Sequence, residues 1–266
     1  MTLFQALILG VVQGLTEFLP VSSSGHLVLA DALLGIDAPG VLLVVTLHVA
    51  TLLAVCWVYR SRLAHIAVGV LRGDADSLRY VGLLALASVP AAVIGILFLD
   101  VLAPTFERPV FAASMLLVTG VVVWTLRYSA ARESHRQEVR VSDAVAVGVA
   151  QAFALLPGIS RSGSTVAAGT GLGVDPTRMA EFSFLMSVPA IGGAAILQLD
   201  EISATGAAIG AVPLVVAFVA ALVSGVLAIR LFVAMLTKRT FHRFAYYCWF
   251  AGAAYLLAAW LSPGLR

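Results

Sequence analysis

The stretch QGLTEFLPVSSSGH, residues 13–26, decides how this chain of 266 residues is interpreted. It places a carboxylate, an amide, three consecutive serines and an imidazole within otherwise apolar sequence. A second stretch, QAFALLPGISRSGST at residues 151–165, has a similar composition and adds an arginine. We call these stretches the first and the second polar tip. Because polar groups are costly in hydrocarbon and normally serve a site or a pathway, the two tips are predicted to form one site.

The rest of the composition indicates a membrane protein. Hydrophobic residues make up 61% of the chain and charged residues 11%, and the mean hydropathy is +1.02. Charged residues are normally about a quarter of a globular protein, so an integral membrane protein with several spans is the class that fits. The net charge of +2 is too small to suggest nucleic-acid binding. Cys56 and Cys248 are isolated in apolar segments and are predicted to be buried and unpaired.

The segments around the tips are too short to cross a bilayer. A spanning helix needs about 20 residues, but the apolar runs beside the first tip cover only residues 3–12 and 27–34. Two half-length helices joined at a polar turn predict a re-entrant hairpin over residues 3–34, with its end buried in protein. The same pattern predicts a second re-entrant hairpin over residues 144–172.

Three predicted spans follow each hairpin, which indicates an internal duplication. Aligning Gly10 with Gly148 pairs residues of the same type: Gln13 with Gln151, Ser22 with Ser160, Ser24 with Ser162, and Gly25 with Gly163. A hairpin plus three spans crosses the membrane an odd number of times, so the second copy must be inverted. Inverted repeats with discontinuous helices that meet at the midplane are a known architecture for binding sites.

The predicted fold is therefore an all-α integral membrane protein, a single domain over residues 1–266, with six transmembrane helices and two re-entrant hairpins arranged as an inverted-topology repeat. Repeat one covers residues 1–128, with the hairpin at 3–34 and spans at 41–59, 81–102 and 109–126. Repeat two covers residues 142–262, with the hairpin at 144–172 and spans at 181–199, 207–232 and 244–261. Residues 61–79 are predicted to be a basic loop.

Charge asymmetry between the two sides predicts the orientation. One side carries most of the basic residues: Arg60, Arg62, Arg72, Arg79, Arg127, Arg132, Arg136, Arg140, Arg178, Lys238, Arg239 and Arg243. The other side carries two arginines and six carboxylates: Arg108, Arg266, Asp31, Asp37, Asp100, Glu107, Asp200 and Glu201. The basic side is predicted to be cytoplasmic. Both termini and the entrance of the first hairpin are then outside, and the second hairpin enters from the cytoplasm.

Four ionisable residues are predicted to lie at membrane depth: Glu17, His26, Arg161 and Glu181. A structural ion pair between Glu17 and Arg161 is the simplest alternative to a site, but the neighbouring serines and glycines exceed what a brace needs. For His26 the alternative is a histidine that only begins a helix. His48 is a fifth candidate. Glu181 and His48 are predicted to pack against the residues that contact the substrate, with direct participation in the chemistry as the alternative.

The tips carry the groups that phosphate chemistry requires. Each begins a helix after a turn, and helix starts present unpaired N–H groups that bind anions. Arg161 adds a planar fork that matches phosphate oxygens. Glu17 fits such a site if a divalent cation bridges it to phosphate or if it orients a base. Gln13 lies one helical turn before Glu17 and shares its face.

Reactive groups complete the predicted chemistry. The imidazole of His26 is suited to act as a base, an acid or a nucleophile, and a serine hydroxyl is able to attack phosphorus when a base takes its proton. The constellation predicts metal-assisted phosphoryl transfer from a membrane-embedded substrate. The soluble phosphate-binding pattern GxxxxGK[ST] is absent, which argues against a nucleotide substrate.

These motifs resemble the undecaprenyl-diphosphatase family, also called the bacitracin-resistance protein family. The first tip matches that family's Glu/Gln-xxx-Glu motif with its serine-histidine continuation, and PGISRSGST at residues 157–165 matches PGxSRSxxT. EFSFLMSVP at residues 181–189 is a third match, and LHVATLLAV at residues 47–55 is a weaker one. The resemblance covers essentially the whole chain. Many members carry glutamate where this chain has Gln13, so one anionic ligand is missing here.

The resemblance implies hydrolysis of the lipid carrier undecaprenyl diphosphate to undecaprenyl phosphate and inorganic phosphate, assisted by magnesium or calcium. This reaction recycles the carrier for cell-wall synthesis. The implied location is the bilayer of the bacterial inner membrane, with the site open to the periplasmic side.

Roles follow residue by residue from the resemblance. Glu17, with Gln13 beside it, holds the cation or orients His26. Either Ser23 or His26 is the nucleophile, and the other assists proton transfer. Arg161 binds the diphosphate and stabilises charge on the transferring group. The predicted substrate-binding residues are Ser22, Ser24, Gly25, Ser160, Ser162, Gly163 and Thr165.

Two other functions remain open from the residues. A transporter that moves undecaprenyl phosphate between leaflets would use the same inverted repeats and broken helices. A non-catalytic anion channel would need neither the buried carboxylate nor the paired tips. The sequence does not decide whether the chain forms a homodimer.

Overall fold

The computed structural model describes residues 1–36, 40–130, 136–198 and 209–265. The α-helices are α1 (Leu3–Phe18), α2 (Ser23–Leu34), α3 (Val41–Val58), α4 (Arg60–Leu71), α5 (Ala75–Leu97), α6 (Leu99–Leu102), α7 (Pro109–Ala130), α8 (Val141–Phe153), α9 (Arg161–Gly171), α10 (Pro176–Leu197), α11 (Ala211–Thr237) and α12 (Phe244–Leu261). Short 3₁₀ segments lie at Ala103–Glu107, Phe241–Arg243 and Pro263–Leu265.

Within these ranges, six helices are long and apolar enough to cross a membrane: α3, α5, α7, α10, α11 and α12. The predicted all-α membrane protein with six spanning helices is therefore confirmed. The four helices that adjoin the polar tips are shorter, at 16 residues for α1, 12 for α2, 13 for α8 and 11 for α9. Their re-entrant course and the inverted repeat stay predictions.

The region predicted to be a basic loop, residues 61–79, is mostly helical, and that prediction is wrong. Helix α4 covers Arg60–Leu71. Its apolar residues Leu63, Ile66 and Val70 recur at helical spacing, and all three pack against the largest apolar cluster of the described residues. The arginines of α4 lie on its polar face and suggest a loop, whereas its apolar face is buried.

Two spanning helices begin earlier than predicted because polar residues cap them. Helix α5 begins at Ala75, where the Asp74 carboxylate accepts a hydrogen bond of 2.9 Å from the Ser77 amide. Helix α10 begins at Pro176, with Asp175 as its cap. Side-chain caps of this kind satisfy amides that the first turn leaves unpaired. A hydropathy pattern therefore underestimates the length of both helices.

Helix α1 packs against α11 through small residues. A Cβ atom on Gly14 would overlap the Ser224 hydroxyl, and one on Gly10 would overlap the carbonyl of Ala217. Glycine at both positions lets the two helix backbones approach closely, as is common in membrane proteins. This contact fixes the helix that carries Glu17.

Both cysteines are free, Cys248 buried and Cys56 half-buried. Several predicted features lie outside the described residues: Asp37, Arg132, Asp200, Glu201, Arg266, residue 199 of the fourth predicted span and residues 207–208 of the fifth.

Candidate active site

Each polar tip contains a serine that caps the helix beginning within that tip. The Ser22 hydroxyl accepts a hydrogen bond of 3.3 Å from the Gly25 amide at the start of α2. The Ser160 hydroxyl accepts one of 3.1 Å from the Gly163 amide at the start of α9. These are the serines and glycines that the internal alignment pairs. The two tips therefore share the same serine-to-glycine cap, although their backbones differ at the capping residue, with φ = 70° at Ser22 and φ = −74° at Ser160.

The tips touch each other through two glycines. A Cβ atom on Gly25 would lie 2.7 Å from the Cα of Gly158. Gly158 has φ = 95°, a conformation that favours glycine, and a Cβ there would also overlap the carbonyl of Ala112 on α7. Larger residues at either position would force the tips apart.

Two side chains hold the second tip in place. Thr119 of α7 donates a hydrogen bond of 2.6 Å to the Gly158 carbonyl and accepts one of 3.0 Å from the Ser160 amide. The Ser162 hydroxyl donates one of 3.1 Å to the carbonyl of Leu19 in the first tip. Backbone groups that no helix satisfies are thereby paired at the point where the tips meet.

Glu17 is the centre of the polar contacts. One oxygen, Oε1, accepts a hydrogen bond of 2.7 Å from Arg161 of the other tip. The second oxygen, Oε2, accepts bonds of 2.6 Å from the Ser23 hydroxyl and 3.1 Å from the Gln13 amide. Arg161 also donates to the carbonyl of Ser183 at 3.0 Å. The tips are thus joined by a hydrogen-bonded ion pair in which Glu17 is buried and Arg161 is half-buried.

These contacts border a cavity of about 260 Å³. Its wall combines the ends of several helices, and its lining polar residues are Thr16, Glu17, Ser22, Ser23, Ser24, His48, Gln151, Ser160, Arg161, Ser187 and Gln198. Seven of the predicted site residues are among them: Glu17, Ser22, Ser23, Ser24, His48, Ser160 and Arg161. The predicted union of the two tips is therefore present in the structure, and the serine that contacts the carboxylate faces the same space as the arginine.

The remaining predicted site residues are not on this wall: Gln13, Gly25, His26, Ser162, Gly163, Thr165 and Glu181. Most of these residues contact the residues that form the cavity wall. Gln13 is fully buried beside Glu17, and Thr165 contacts Ser183 at 2.7 Å between their hydroxyls. Glu181 instead pairs with Arg62 at 2.9 Å and lines a separate cavity of about 760 Å³ at the opposite end of α10.

His26 is directed towards α12 instead of the cavity. Its Nδ1 lies 2.8 Å from the Ser22 carbonyl, and its Nε2 lies 2.8 Å from the Tyr247 hydroxyl. The carbonyl oxygen only accepts hydrogen bonds, so Nδ1 carries the proton and Nε2 accepts from Tyr247 in the neutral ring. Ser22 has φ = 70°, which is rare for a residue with a side chain, and His26 holds its carbonyl. The imidazole is thus placed to fix the turn of the first tip.

Sequence reasoning missed several residues of the site. Ser183 and Ser187 lie within the motif EFSFLMSVP but were not singled out, because serine is common in membrane helices. Thr119 and Tyr247 do not stand out on their helices, because α7 also carries Ser114 and Thr125 and α12 also carries Tyr246 and Tyr255. Gln151 was visible as the counterpart of Gln13 in the alignment, but no role was assigned to it.

The residues present do not fit a divalent cation held by the protein alone. Hard cations take several oxygen ligands, and Glu17 is the one carboxylate on the described cavity wall. Both of its oxygens already accept hydrogen bonds, one of them from the cationic Arg161. Across the described ranges, no group of three His, Cys, Asp or Glu residues is suited to hold a metal ion.

Comparison with known proteins gives a consistent family. A family model described as "Bacitracin resistance protein BacA" matches residues 6–254. An undecaprenyl-diphosphatase of Desulforapulum autotrophicum is 38% identical over 98% of this chain and 100% of its own length. Another of Desulfatibacillum aliphaticivorans is 40% identical over 96% of this chain and 98% of its own length. A third, of Methanobrevibacter smithii, is 36% identical over 95% of this chain and 96% of its own length. The resemblance in the polar tips is confirmed over nearly the whole sequence, and the chain belongs to the bacitracin resistance protein BacA family.

Proposed function

We propose that this protein hydrolyses undecaprenyl diphosphate to undecaprenyl phosphate and inorganic phosphate, and so recycles the lipid carrier for cell-wall synthesis. One observation carries the proposal. The Ser23 hydroxyl donates to Glu17 at 2.6 Å on the wall of a cavity, and the opposite tip supplies Arg161 to the same carboxylate at 2.7 Å. A hydroxyl, a base and a guanidinium on the wall of one cavity are the groups that phosphoryl transfer requires.

Ser23 is the nucleophile in this proposal, and Glu17 is its base. The short hydrogen bond directs the serine proton to a carboxylate oxygen, while Gln13 and Arg161 keep that carboxylate in place. Ser23 is also the first residue of α2, so the helix start favours the negative charge that develops nearby. His26 has both ring nitrogens occupied and takes no part in the proton transfer.

Arg161 has two tasks in the proposal. Two of its donors hold Glu17 and the Ser183 carbonyl, and a guanidinium has five N–H groups in total. Because Arg161 lines the cavity, the remaining donors are available for phosphate oxygens. A positive charge at this position stabilises the transferring phosphoryl group.

The reaction then balances in two steps. The Ser23 oxygen forms a bond to the terminal phosphorus, the bridging P–O bond breaks, and its electron pair leaves with the lipid monophosphate. The serine proton passes to Glu17. Water next attacks the serine-bound phosphorus, the bond between the serine oxygen and phosphorus breaks, and inorganic phosphate leaves with the protons of the water. The serine oxygen recovers its proton from Glu17.

Magnesium or calcium enters the proposal as part of the substrate. A diphosphate carries several anionic oxygens, and Mg²⁺ is commonly bound through substrate phosphates with few protein ligands. We therefore assign the cation to the lipid diphosphate and not to a resident protein site. No step of the reaction above depends on a protein-held ion.

We further propose that the protein lies in the bacterial inner membrane and that its cavity opens to the periplasmic side. The cavity wall includes the beginning of α3 and the last turns of α10, and both are predicted to lie on the side poor in basic residues. The arginine-rich cavity with Glu181 lies at the other end of α10. Both tips belong to one chain, so the site is complete in one copy whether or not a homodimer forms.

The lipid tail has an apolar path beside the site in this proposal. A groove of about 520 Å³ lies between α7, α8 and α9, and Ile159 lines both this groove and the polar cavity. A head group in the cavity would therefore leave its tail next to apolar side chains that face the bilayer.

The test uses purified full-length protein in detergent with a long-chain polyprenyl diphosphate. Release of inorganic phosphate is expected, and Ser23→Ala should abolish it. Ser187→Ala is the matched control, because Ser187 lines the same cavity and its hydroxyl donates to the Phe184 carbonyl instead of Glu17. The absence of phosphate release with any divalent cation, or full activity of Ser23→Ala, contradicts the proposal.

A further inference from the structure

Gln151 is a buried amide without a hydrogen-bond partner. Its side chain is 4% exposed, and neither Oε1 nor Nε2 has a partner among the described residues. Nearly all buried polar groups in proteins are hydrogen-bonded, so an amide with two unpaired atoms calls for an explanation. Gln151 lines the same cavity as Ser23 and Arg161.

The internal alignment shows why this amide is free. Gln13, its counterpart, donates a hydrogen bond of 3.1 Å to Glu17 one helical turn further along α1. In the second copy the equivalent position, four residues after Gln151, is Leu155, which offers no acceptor. The glutamine is present in both copies, but the carboxylate that it would orient is present in only one.

The backbone around Gln151 is fixed. One turn earlier, a Cβ atom on Gly148 would lie 2.7 Å from the carbonyl of Ala87, so α8 is pressed against α5 at this level. Helix α8 ends two residues after Gln151, at Phe153. The free amide is therefore held at the end of a packed helix, on the wall formed by α8, while Ser23 belongs to the opposite tip.

We propose that Gln151 is a substrate-binding residue whose amide group donates a hydrogen bond to an oxygen of the diphosphate. This inference rests on the proposed function. The amide N–H₂ supplies donors for an anion, and the carbonyl oxygen supplies an acceptor for a water molecule or a protonated phosphate oxygen. The first copy of the glutamine positions the base, and the second copy binds the head group on which the nucleophile acts.

A carboxylate at this position would have the same size but would repel phosphate. Gln151→Glu should therefore weaken diphosphate binding more than Gln151→Leu, which removes the amide and keeps the volume. A hydrogen bond to a charged group corresponds to about tenfold in affinity or more. We expect Gln151→Leu to raise KM by about that factor with a smaller effect on kcat.

Stability separates a binding role from a structural one. An amide that supports the fold lowers the melting temperature when it is removed. An unpaired buried amide does the opposite or nothing, because its replacement by Leu removes a polar group that the folded protein leaves without a partner. The melting temperature of Gln151→Leu should therefore equal or exceed that of the unaltered protein.

The experiment has two arms. The first measures KM, kcat and melting temperature for Gln151→Leu and Gln151→Glu, with Gln198→Leu as the control for loss of an amide elsewhere on the cavity wall. The second measures binding of inorganic diphosphate to the Ser23→Ala variant, with and without Gln151→Leu, so that no turnover is needed. The expected result is at least tenfold weaker binding on loss of the amide and a much smaller change for Gln198→Leu.

Several outcomes would overturn the assignment: unchanged KM and unchanged diphosphate binding in Gln151→Leu, an equal effect of Gln198→Leu, or a lowered melting temperature with binding intact. Failure of the unaltered protein to release phosphate would refute the proposed function instead. The binding arm would still report on Gln151 in that case.

Discussion

The hydroxyl of Tyr247 lies 2.8 Å from Nε2 of His26, and the two rings are stacked with centroids 5.5 Å apart. Through Nδ1 the same imidazole holds the Ser22 carbonyl. Helix α12 is thereby connected to the first polar tip, although 221 residues separate the two side chains along the chain. His26 acts as a clamp on the turn that precedes Ser23.

This arrangement predicts different effects for two substitutions of His26. The amide of His26→Asn is able to replace the Nδ1 donor, whereas His26→Phe keeps the ring and loses both hydrogen bonds. We expect His26→Asn to keep measurable phosphate release and His26→Phe to lose it. A nucleophilic histidine would leave both variants equally inactive, and that result would contradict the clamp.

Tyr247→Phe should lower kcat several-fold with little change in KM, because it removes one hydrogen bond from the clamp and no contact with the substrate. Steady-state kinetics in detergent measure both constants. Tyr246→Phe is the control, since Tyr246 lies on the same helix and its ring contacts Trp124 and Trp249 instead of the tip. Equal effects of the two substitutions would show that α12 responds to any change.

The ion pair between Glu17 and Arg161 predicts a pattern of stability. Removing Arg161 leaves the buried Glu17 carboxylate uncompensated. Breaking a fully buried pair typically costs about 3–5 kcal/mol, and because Arg161 is half-buried the loss here should lie at or below the lower end of that range. Arg161→Met should therefore lower the melting temperature clearly. Combining it with Glu17→Gln should recover much of the loss, because no buried charge remains. Neither variant should release phosphate, and additive losses of stability in the double variant would contradict a direct pair.

The contact between the tips predicts intolerance at Gly158. Alanine there would meet the Ala112 carbonyl and would need φ = 95°, so Gly158→Ala should be strongly destabilising and nearly inactive. Gly192→Ala is a matched control within the described residues, since its Cβ would meet nothing within 4 Å. It should have little effect on the melting temperature. Comparable losses in both variants would argue against a close approach of the tips.

If the cation is bound by the substrate diphosphate, the protein alone should bind Mg²⁺ and Ca²⁺ weakly. Titration of the protein with Mg²⁺ or Ca²⁺ alone should show no saturable tight binding by calorimetry. A chelator should inhibit by removing the cation from the diphosphate, and the inhibition should be relieved by adding excess cation. Tight binding of either ion without diphosphate, lost on Glu17→Gln, would contradict this assignment.

The sequence predicted the six spanning helices and the meeting of the tips, because both depend on strong and local signals. Hydropathy defines a span, and a run such as SSSGH in apolar sequence has little use except in a site. The amphipathic helix α4 was missed because its arginines dominate a composition-based interpretation, whereas its buried face consists of only a few residues, such as Ile66.

Contacts between helices that are distant in sequence could not be predicted, for a different reason. Nothing in the local sequence of Tyr247 marks it among the aromatic residues of α12, and the direction of the His26 ring depends on where that helix packs. Glu181 shows the converse. As a carboxylate on a spanning helix it was expected beside the site, but it lies at the far end of α10, where Arg62 is within reach.

The close packing of Gly10 and Gly14 against α11 has an evolutionary consequence. The position of the Glu17 carboxylate depends on how closely the backbone of α1 approaches that of α11. It is therefore sensitive to the size of the α11 residues that face Gly10 and Gly14, and much less to their chemistry. Among related proteins, the residues at positions 217, 221 and 224 on that face of α11 should be confined to alanine, serine and glycine, even though these positions lie far from Glu17 in sequence. Selection for the reaction would then restrict the size of side chains on α11, a helix that contributes no reactive group.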